Sequence, residues 1–315
     1  MRSFTVSPAQ NNKHVVKASV EAFPQLAPAD LFRALKRKDI RIDGKKISSD
    51  IAVKEGQTVE IWLPDSLFEQ EKKPQQKQAL YAKVYESDRI IIVNKRQGVA
   101  VHPGKNTGGA DLIDQVRKDL NDPDADLCHR IDMNTGGLVM IAKDKKALDD
   151  AVKLFKGDLI TKRYRALVYG VPVEGEPVIC GDDAVMKEVS CFLEKTSKGT
   201  VFIHDDRQPG DLIATSRYRV MGTYGDISDI EVELVTGRTH QIRAQFAHMG
   251  HPVIGDGLYG RAKINDSFSG KDGKKVRYQQ LFASTLIFGK IPADNCLKEL
   301  SGRRFSLNPD FGVKL

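Results

Sequence analysis

Residues 128–137 read CHRIDMNTGG, and residues 236–243 read TGRTHQIR. Each segment gathers chemically capable side chains beside glycine, and the pattern around each sets the architecture. The first runs into an apolar, strand-like stretch from Leu138 to Ala142, so Asp132 is expected in a loop that feeds a strand. An Asp in a Gly- and Thr-containing loop is ordinarily a turn former, because its carboxylate can bond nearby backbone amides. Cys128 and His129 suggest a thiol and its base, yet neighbours on a strand point to opposite faces and do not work together. The second segment follows an alternation at Ile230, Val232 and Leu234. There Gly237 permits a sharp turn, Thr239 is placed to cap a helix with Ile242, Phe246 and Met249 on its apolar face, and Gly250 ends it. Arg238, His240 and Arg243 fall on the first turn, cations beside free amides that suit a carboxylate or phosphate. A charged surface helix start would have the same look.

Outward from these segments, Ile90-Ile91-Ile92-Val93 reads as a buried strand, and Tyr164, Ala166 and Val168 alternate as a half-buried one. Leu112, Val116 and Leu120 share one face of a helix. No repeat of fixed period appears, which excludes a solenoid or propeller. Residues 80–315 are therefore expected to form an α+β domain, a mixed, largely antiparallel sheet with flanking helices. Ahead of it, residues 65–79 are polar (DSLFEQEKKPQQKQ over 65–78) and suit a linker. Residues 1–64 form a separate small α+β unit. In it Pro28 opens a helix carrying Leu31 and Leu35 on one face, Ile40 and Ile42 alternate up to a two-residue turn at Asp43-Gly44, and Val59, Ile61 and Leu63 alternate again.

The 315 residues, 35.0 kDa, exceed a usual single domain, which agrees with a division in two. With 40% hydrophobic and 29% charged residues the chain can bury a core and is neither fibrous nor disordered. No apolar run is long enough for a membrane span and no apolar stretch follows Met1-Arg2-Ser3-Phe4-Thr5, so a cytoplasmic protein is expected. Cys128, Cys180, Cys191 and Cys296 are widely spaced and read as reduced packing residues. A net charge of +7 and a pI near 9.1 lean mildly toward a polyanionic partner. Locally the lean is stronger, since seven basic residues between Arg33 and Lys46 face only Asp39 and Asp43. An ordinary solvated helix gives that count too.

Two other patterns are set aside. Residues 255–260, GDGLYG, satisfy G-x-G-x-x-G, but polar Arg261-Ala262-Lys263 follows instead of an apolar-faced helix, and no βαβ unit surrounds it. His240, His248 and His251 with Asp256 match no familiar zinc spacing, so no metal and no cofactor is expected.

Taken together, HRIDMNTGG over 129–137, TGRTHQIR, GHPVIGD over 250–256 and the following Tyr259-Gly260 resemble the signatures of the RluA-type pseudouridine synthases. Lys162 to Val168 (KRYRALV) is similar to that family's tyrosine strand, and Val93-Asn94-Lys95 with GVAVHPG over 98–104 to its opening strand and loop. The resemblance spans about Tyr81 to the C-terminus. Leu31 to Leu63 is similar to the small RNA-binding domain of ribosomal protein S-four. Three positions depart from the family pattern: Gly136 stands where Ser is frequent, Arg96 where Pro is, and Phe282 where His is.

The resemblance implies that Asp132 is the essential carboxylate, Arg243 its ion-pair partner, and Tyr164 the aromatic packed on the target base. The chemistry agrees with those roles. Uridine becomes pseudouridine when the bond from ribose to ring nitrogen 1 breaks, the uracil turns, and carbon 5 rejoins the sugar. No cofactor is needed. A carboxylate can attack the ribose or take a proton from it, and both routes remain open here. Arg243, permanently charged, would keep that carboxylate in its anionic form. The Tyr164 phenol can help the last proton leave carbon 5. The target base must leave its stack, and the Arg130 guanidinium is a candidate to fill the gap. His129 reads as structural, and the basic stretch Arg261 to Arg277 as a second RNA contact or a surface loop.

The expected RNA-binding residues are thus Arg130, Arg238 and His240 near the site, and Arg33, Lys36, Arg37, Arg41, Lys45 and Lys46 in the first domain. The expected partner is RNA, ribosomal RNA ahead of transfer RNA, and the protein is expected to be a monomer. Two alternatives stand beside this. One is a non-catalytic RNA-binding or ribosome-associated factor, which would not need Asp132, Tyr164 and Arg243 together. The other is a metal-dependent hydrolase using His240 and His251.

Overall fold

The four-residue run Ile90 to Val93 is apolar throughout because both faces of its strand are covered. In the computed structural model it lies in the strand Ile90–Lys95, where Ile90 and Ile92 enter one hydrophobic cluster and Ile91 and Val93 another. The neighbouring strand Gly136–Ala142 repeats this division, Leu138 and Met140 on one side, Val139 and Ile141 on the other. The helix Lys145–Lys156, capped by Asp144 accepting from the Ala147 amide at 2.9 Å, covers the first side. Helices Leu112–Leu120 and Gln241–His248 cover the second.

The structure describes residues 1–69, 79–104, 111–197 and 199–314, and it divides into Met1–Gln78 and Ala79–Leu315. The second unit is built on one sheet of twelve strands. Along its main path the strands run Glu176–Ile179, Val185–Lys195, Leu212–Tyr224, Ile227–Leu234, Ile160–Tyr169, Leu281–Phe288, Gly136–Ala142, Ile90–Lys95 and Tyr81–Glu86. Among the described strands the parallel contact is Leu281–Phe288 against Gly136–Ala142, and the other pairs are antiparallel. The sheet is mixed and largely antiparallel, as its sequence pattern predicts. No helix among the described residues is long and apolar enough to cross a membrane.

In the first unit, helices Val15–Ala22 and Pro28–Arg37 pack on a four-stranded antiparallel sheet ordered Arg2–Thr5, Thr58–Ile61, Ile40–Ile42, Lys45–Ile47. Asp43 and Gly44 take the left-handed turn that joins the last two, with φ of 50° and 75°. Of the stretch 65–79 expected as linker, Asp65–Phe68 is instead a helical turn. Its Phe68 is buried in the first unit's core, edge-on to Phe23 at 5.3 Å, so one apolar anchor is enough to tie a polar segment down. Residues 70–78 of that stretch lie outside the described residues.

Candidate active site

Asp132 sits in the loop between Asp126–Leu127 and Gly136–Ala142, and the residues after it are fastened from several sides. The Met133 carbonyl accepts from the buried Lys95 ammonium at 3.0 Å and the Gly98 amide at 3.0 Å. Gln97 donates to the Asn134 carbonyl at 3.1 Å, and Gln279 to the Thr135 hydroxyl at 2.8 Å. Lys95 spends its other protons on the carbonyls of Val99, at 2.7 Å, and Arg96, at 3.0 Å, which fixes the opening loop to the same point. A side chain held on such a frame keeps one position.

The helix bearing Arg243 starts differently from expectation. Thr239 does not cap it; the cap position is His240, held in the left-handed conformation with φ 52°, and no side chain caps from there. Gln241 closes the turn instead, its Oε1 accepting from the Arg238 amide at 3.0 Å and the Thr236 hydroxyl at 2.9 Å. The sharp turn thus falls on His240 rather than Gly237. Ile242 and Phe246 enter the core as their spacing predicts, while Met249 packs at its margin.

Arg243 joins two carboxylates. Its Nη1 donates to Asp132 Oδ2 at 2.8 Å, while Nε and Nη2 grip Asp256 at 2.7 and 3.0 Å. Asp256 is fully buried and also accepts from the amides of Leu258 and Tyr259 at 2.8 and 3.1 Å. Burial pushes its carboxyl up, but the guanidinium and the two amides outweigh that and hold it below the usual carboxylate range. Asp132, by contrast, keeps 28% of its side chain exposed. The Tyr259 ring lies 5.2 Å from the Arg243 guanidinium, and its hydroxyl is 2.9 Å from His240 Nδ1. Burial pushes His240 below its ordinary value and the Arg243 charge adds to this, with Asp132 and Asp256 opposing.

These groups border an open cleft of about 1200 Å³ and an adjoining one of about 420 Å³, both of which Asp132, Arg130, Arg238, His240 and Arg243 line. Tyr164, largely buried, lines the smaller. Burial, helped by the Asp132 charge, pushes its phenol well above the usual range, so the group is protonated at neutral pH. Arg130 is exposed at the mouth, and Arg238 is exposed with its Nε on the Ile213 carbonyl at 3.1 Å. His129 is structural, accepting from the Met140 amide at 3.1 Å and packing on Phe155. Among the described residues no group of three or more His, Cys, Asp or Glu side chains is placed to hold a metal ion. Nδ1 of His251 meets the Tyr169 carbonyl at 2.8 Å, and that of His240 meets Tyr259.

Asp256, Tyr259 and Lys95 are the residues to which the sequence alone assigns no role. Each lies inside a quoted motif, so the signal is position in the motif and not residue type. The stretch Arg261 to Arg277 is not a bare loop. Val276 is buried in a cluster with Ile254 and Phe311, while Lys275 and Arg277 line the larger cleft.

The departures from the family pattern have local causes. Gly136 and Phe282 face each other in register, and a Cβ at 136 would lie 2.7 Å from the Phe282 ring. The large aromatic and the missing side chain are one packing choice. The Arg96 amide donates to the Leu80 carbonyl at 2.9 Å, a bond that a proline lacks.

In the first unit the expected basic residues divide between surfaces. Arg33, Lys36 and Arg37 are exposed on the helix. Ile40 and Ile42 point into the helix-covered core, so Arg41 and its register partner Lys46 project from the opposite sheet face, where the Arg41 guanidinium lies 5.0 Å from the Trp62 ring. Lys45 is exposed at the hairpin turn.

A carboxylate clasped by a guanidinium in a basic, open cleft, beside a buried tyrosine, makes a candidate active site with the charge to receive a polyanion. The family model described as RNA pseudouridylate synthase matches residues 89–248, and the chain belongs to that family. It is an isomerase that converts uridine in RNA to pseudouridine. Among its relatives, the ribosomal large subunit pseudouridine synthase D of Yersinia pestis is 28% identical over 263 residues, 82% of this chain and 76% of the relative. The ribosomal large subunit pseudouridine synthase C of Vibrio cholerae is 28% identical over 77% of this chain and 75% of its own. Of solved structures, human RNA pseudouridylate synthase domain containing 1 is 26% identical with a TM-score of 0.54, covering 73% of this chain and 83% of that one.

Proposed function

We propose that this enzyme modifies specific uridines of ribosomal RNA, with Asp132 as the reacting group. The observation that carries the reading is the Arg243 guanidinium bonded at once to buried Asp256 and to cleft-facing Asp132. Ribosomal RNA is favoured over transfer RNA because the Yersinia pestis and Vibrio cholerae relatives are named for the large ribosomal subunit. Such an enzyme works in the cytoplasm, and as a monomer.

Asp132 either attacks the ribose or removes a proton from it, the glycosidic bond to nitrogen 1 breaks, and the uracil turns. Carbon 5 then bonds to the sugar, as the ester to Asp132 breaks in the first route or as the sugar takes back the proton that Asp132 removed in the second, and carbon 5 loses its proton while nitrogen 1 gains one. Atoms and electrons balance without an oxidant or added group. Tyr164 contacts the base. Because its phenol is held protonated, it removes the carbon 5 proton only by passing its own proton on. Arg130 fills the gap left by the extruded nucleotide, Arg238 and His240 contact the RNA, and residues 1–64 form an RNA-binding domain that uses Arg33, Lys36, Arg37, Arg41, Lys45 and Lys46. Convergence of Asp132, Tyr164 and Arg243 on one pair of clefts favours this over a non-catalytic factor.

The test is a pseudouridine map of total RNA from cells with and without the gene, complemented by wild type or Asp132→Asn. Sites should vanish from ribosomal RNA without the gene and return only with wild type. Sites vanishing from transfer RNA instead would overturn the substrate, and rescue by Asp132→Asn would overturn the residue.

A further inference from the structure

His240 has an unusual setting for a residue at a helix start. Its backbone is left-handed, a conformation that a non-glycine residue keeps only where the surroundings impose it. Its side chain is only 20% exposed, and Nε2 stands 3.9 Å from Asp132 Oδ2. That separation is beyond a hydrogen bond, so the nitrogen faces the cleft beside the carboxylate without being consumed by it.

The other ring nitrogen decides which proton His240 carries. Tyr259 Oη lies 2.9 Å from His240 Nδ1 and also accepts from the Val201 amide at 2.9 Å. An amide only donates, so Tyr259 Oη is the acceptor in that contact and its own O–H is left to donate elsewhere. Given to Nδ1, that proton makes the ring nitrogen an acceptor and leaves the imidazole hydrogen on Nε2.

We propose that His240 acts as a neutral hydrogen-bond donor, fixed as the Nε2–H tautomer by the Val201–Tyr259–Nδ1 chain, and presents that N–H to an oxygen of the extruded nucleoside beside Asp132. The proposal rests on the reading of Asp132 as the reacting group and assigns His240 a part in turnover beyond RNA contact. The groups facing the imidazole fit a neutral donor: Asp132, Asp256 and Arg243 surround it with Tyr259, and burial with the Arg243 cation disfavours a second proton. Burial likewise keeps the Tyr259 phenol protonated. A neutral donor stabilises an oxygen that gains charge as the glycosidic bond breaks, yet cannot form a competing ion pair with Asp132.

Three measurements on the full-length protein test this. Long-range proton–nitrogen correlation spectra of histidine-labelled enzyme, assigned with His240→Gln, should show His240 protonated on Nε2 alone at pH 7. An Nδ1–H or imidazolium pattern there overturns the proposal. In single-turnover assays at saturating RNA, His240→Leu should slow isomerisation about 10- to 100-fold, the worth of a hydrogen bond to a charged group, while RNA affinity stays within about threefold. His240→Gln, which returns an amide N–H near the Nε2 position, should recover most of the rate. A His240→Leu enzyme that loses affinity but not rate would reduce His240 to an RNA contact. Finally, Tyr259→Phe removes the proton donated to Nδ1, so the same spectra of that variant should show the Nδ1–H form beside the Nε2–H form. A Tyr259→Phe spectrum with Nε2–H alone overturns the tautomer lock. If Asp132→Asn remained active while the Nε2–H pattern held, the reading of Asp132 would fail and the lock would stand.

Discussion

Asp132 and Asp256 share one guanidinium, and exchanging each for asparagine should give opposite phenotypes. Asp256 is fully buried and accepts four hydrogen bonds, two from Arg243 and two from backbone amides. In Asp256→Asn the oxygen can stay at Oδ1, but the new NH₂ then faces the Arg243 Nε–H, donor against donor, and a buried cation loses its main counter-ion. Removing one partner of a buried pair costs about 3–5 kcal/mol, which for a unit of this size lowers Tm by roughly 6 to 20 °C. Asp132 is partly exposed and makes a single bond to Nη1, and without its charge Arg243 still has Asp256. Asp132→Asn should therefore change stability by less than about 1 kcal/mol. Activity should order the other way at a temperature where both variants are folded. Release of label from uridine tritiated at carbon 5 should fall by at least about 10³-fold in Asp132→Asn, and by about 10²-fold in Asp256→Asn through misplacement of Nη1. Acid adds a second reading. The folded Asp256 carboxyl is depressed, so its stabilisation is complete above its ordinary value near about 4 and is lost as pH falls through the depressed value. The melting gap between wild type and Asp256→Asn should narrow below that pH. An Asp132→Asn enzyme that melts as low as Asp256→Asn would refute this division of roles.

Gly136→Ser alone should cost about 1–3 kcal/mol, because the added Cβ meets the Phe282 ring, and Phe282→Ala in the same chain should recover part of it. Additive melting shifts in the double variant would contradict the proposed coupling. Replacing Arg33, Lys36 and Arg37 by Gln should weaken RNA binding and flatten its salt dependence by about 0.7 to 0.9 for each phosphate no longer neutralised, with the rate at saturating RNA unchanged. An unaltered salt slope in filter binding would remove that helix from the RNA-binding surface.

The sheet core was legible because period-2 patterns and doubly covered strands leave direct marks, as in Ile90 to Val93. Asp132 and Arg243 were legible as members of short motifs, though 111 residues separate them. The helix start at His240 was not, since a Thr before an apolar period is an ordinary cap and nothing local announces a left-handed histidine. Strands Val185–Lys195 and Leu212–Tyr224 also escaped the pattern, because exposed Val185, Leu212 and Ile213 put apolar residues on their solvent side and blur the alternation. The role of Asp256 was hidden for a different reason: a carboxylate in a glycine-rich loop reads as a turn former, and only the folded chain aims it at Arg243.

On the proposed reading of Asp132 as the reacting group, that second carboxylate answers a difficulty common to both of its routes. If Asp132 attacks the ribose it becomes a neutral ester, and if it removes a proton it becomes a neutral acid. Either way its negative charge disappears during turnover, while the Arg243 cation, whose side chain is 8% exposed, stays where it is. An arginine paired with Asp132 alone would then be a buried, uncompensated charge at the point of reaction, which costs several kcal/mol and would be added to the barrier. Asp256 keeps Arg243 neutralised throughout, so the guanidinium can orient Asp132 before reaction without resisting the loss of its charge. The two bonds to Asp256 and one to Asp132 follow from that requirement: the permanent partner takes the bidentate grip, and the partner that must change takes the single one.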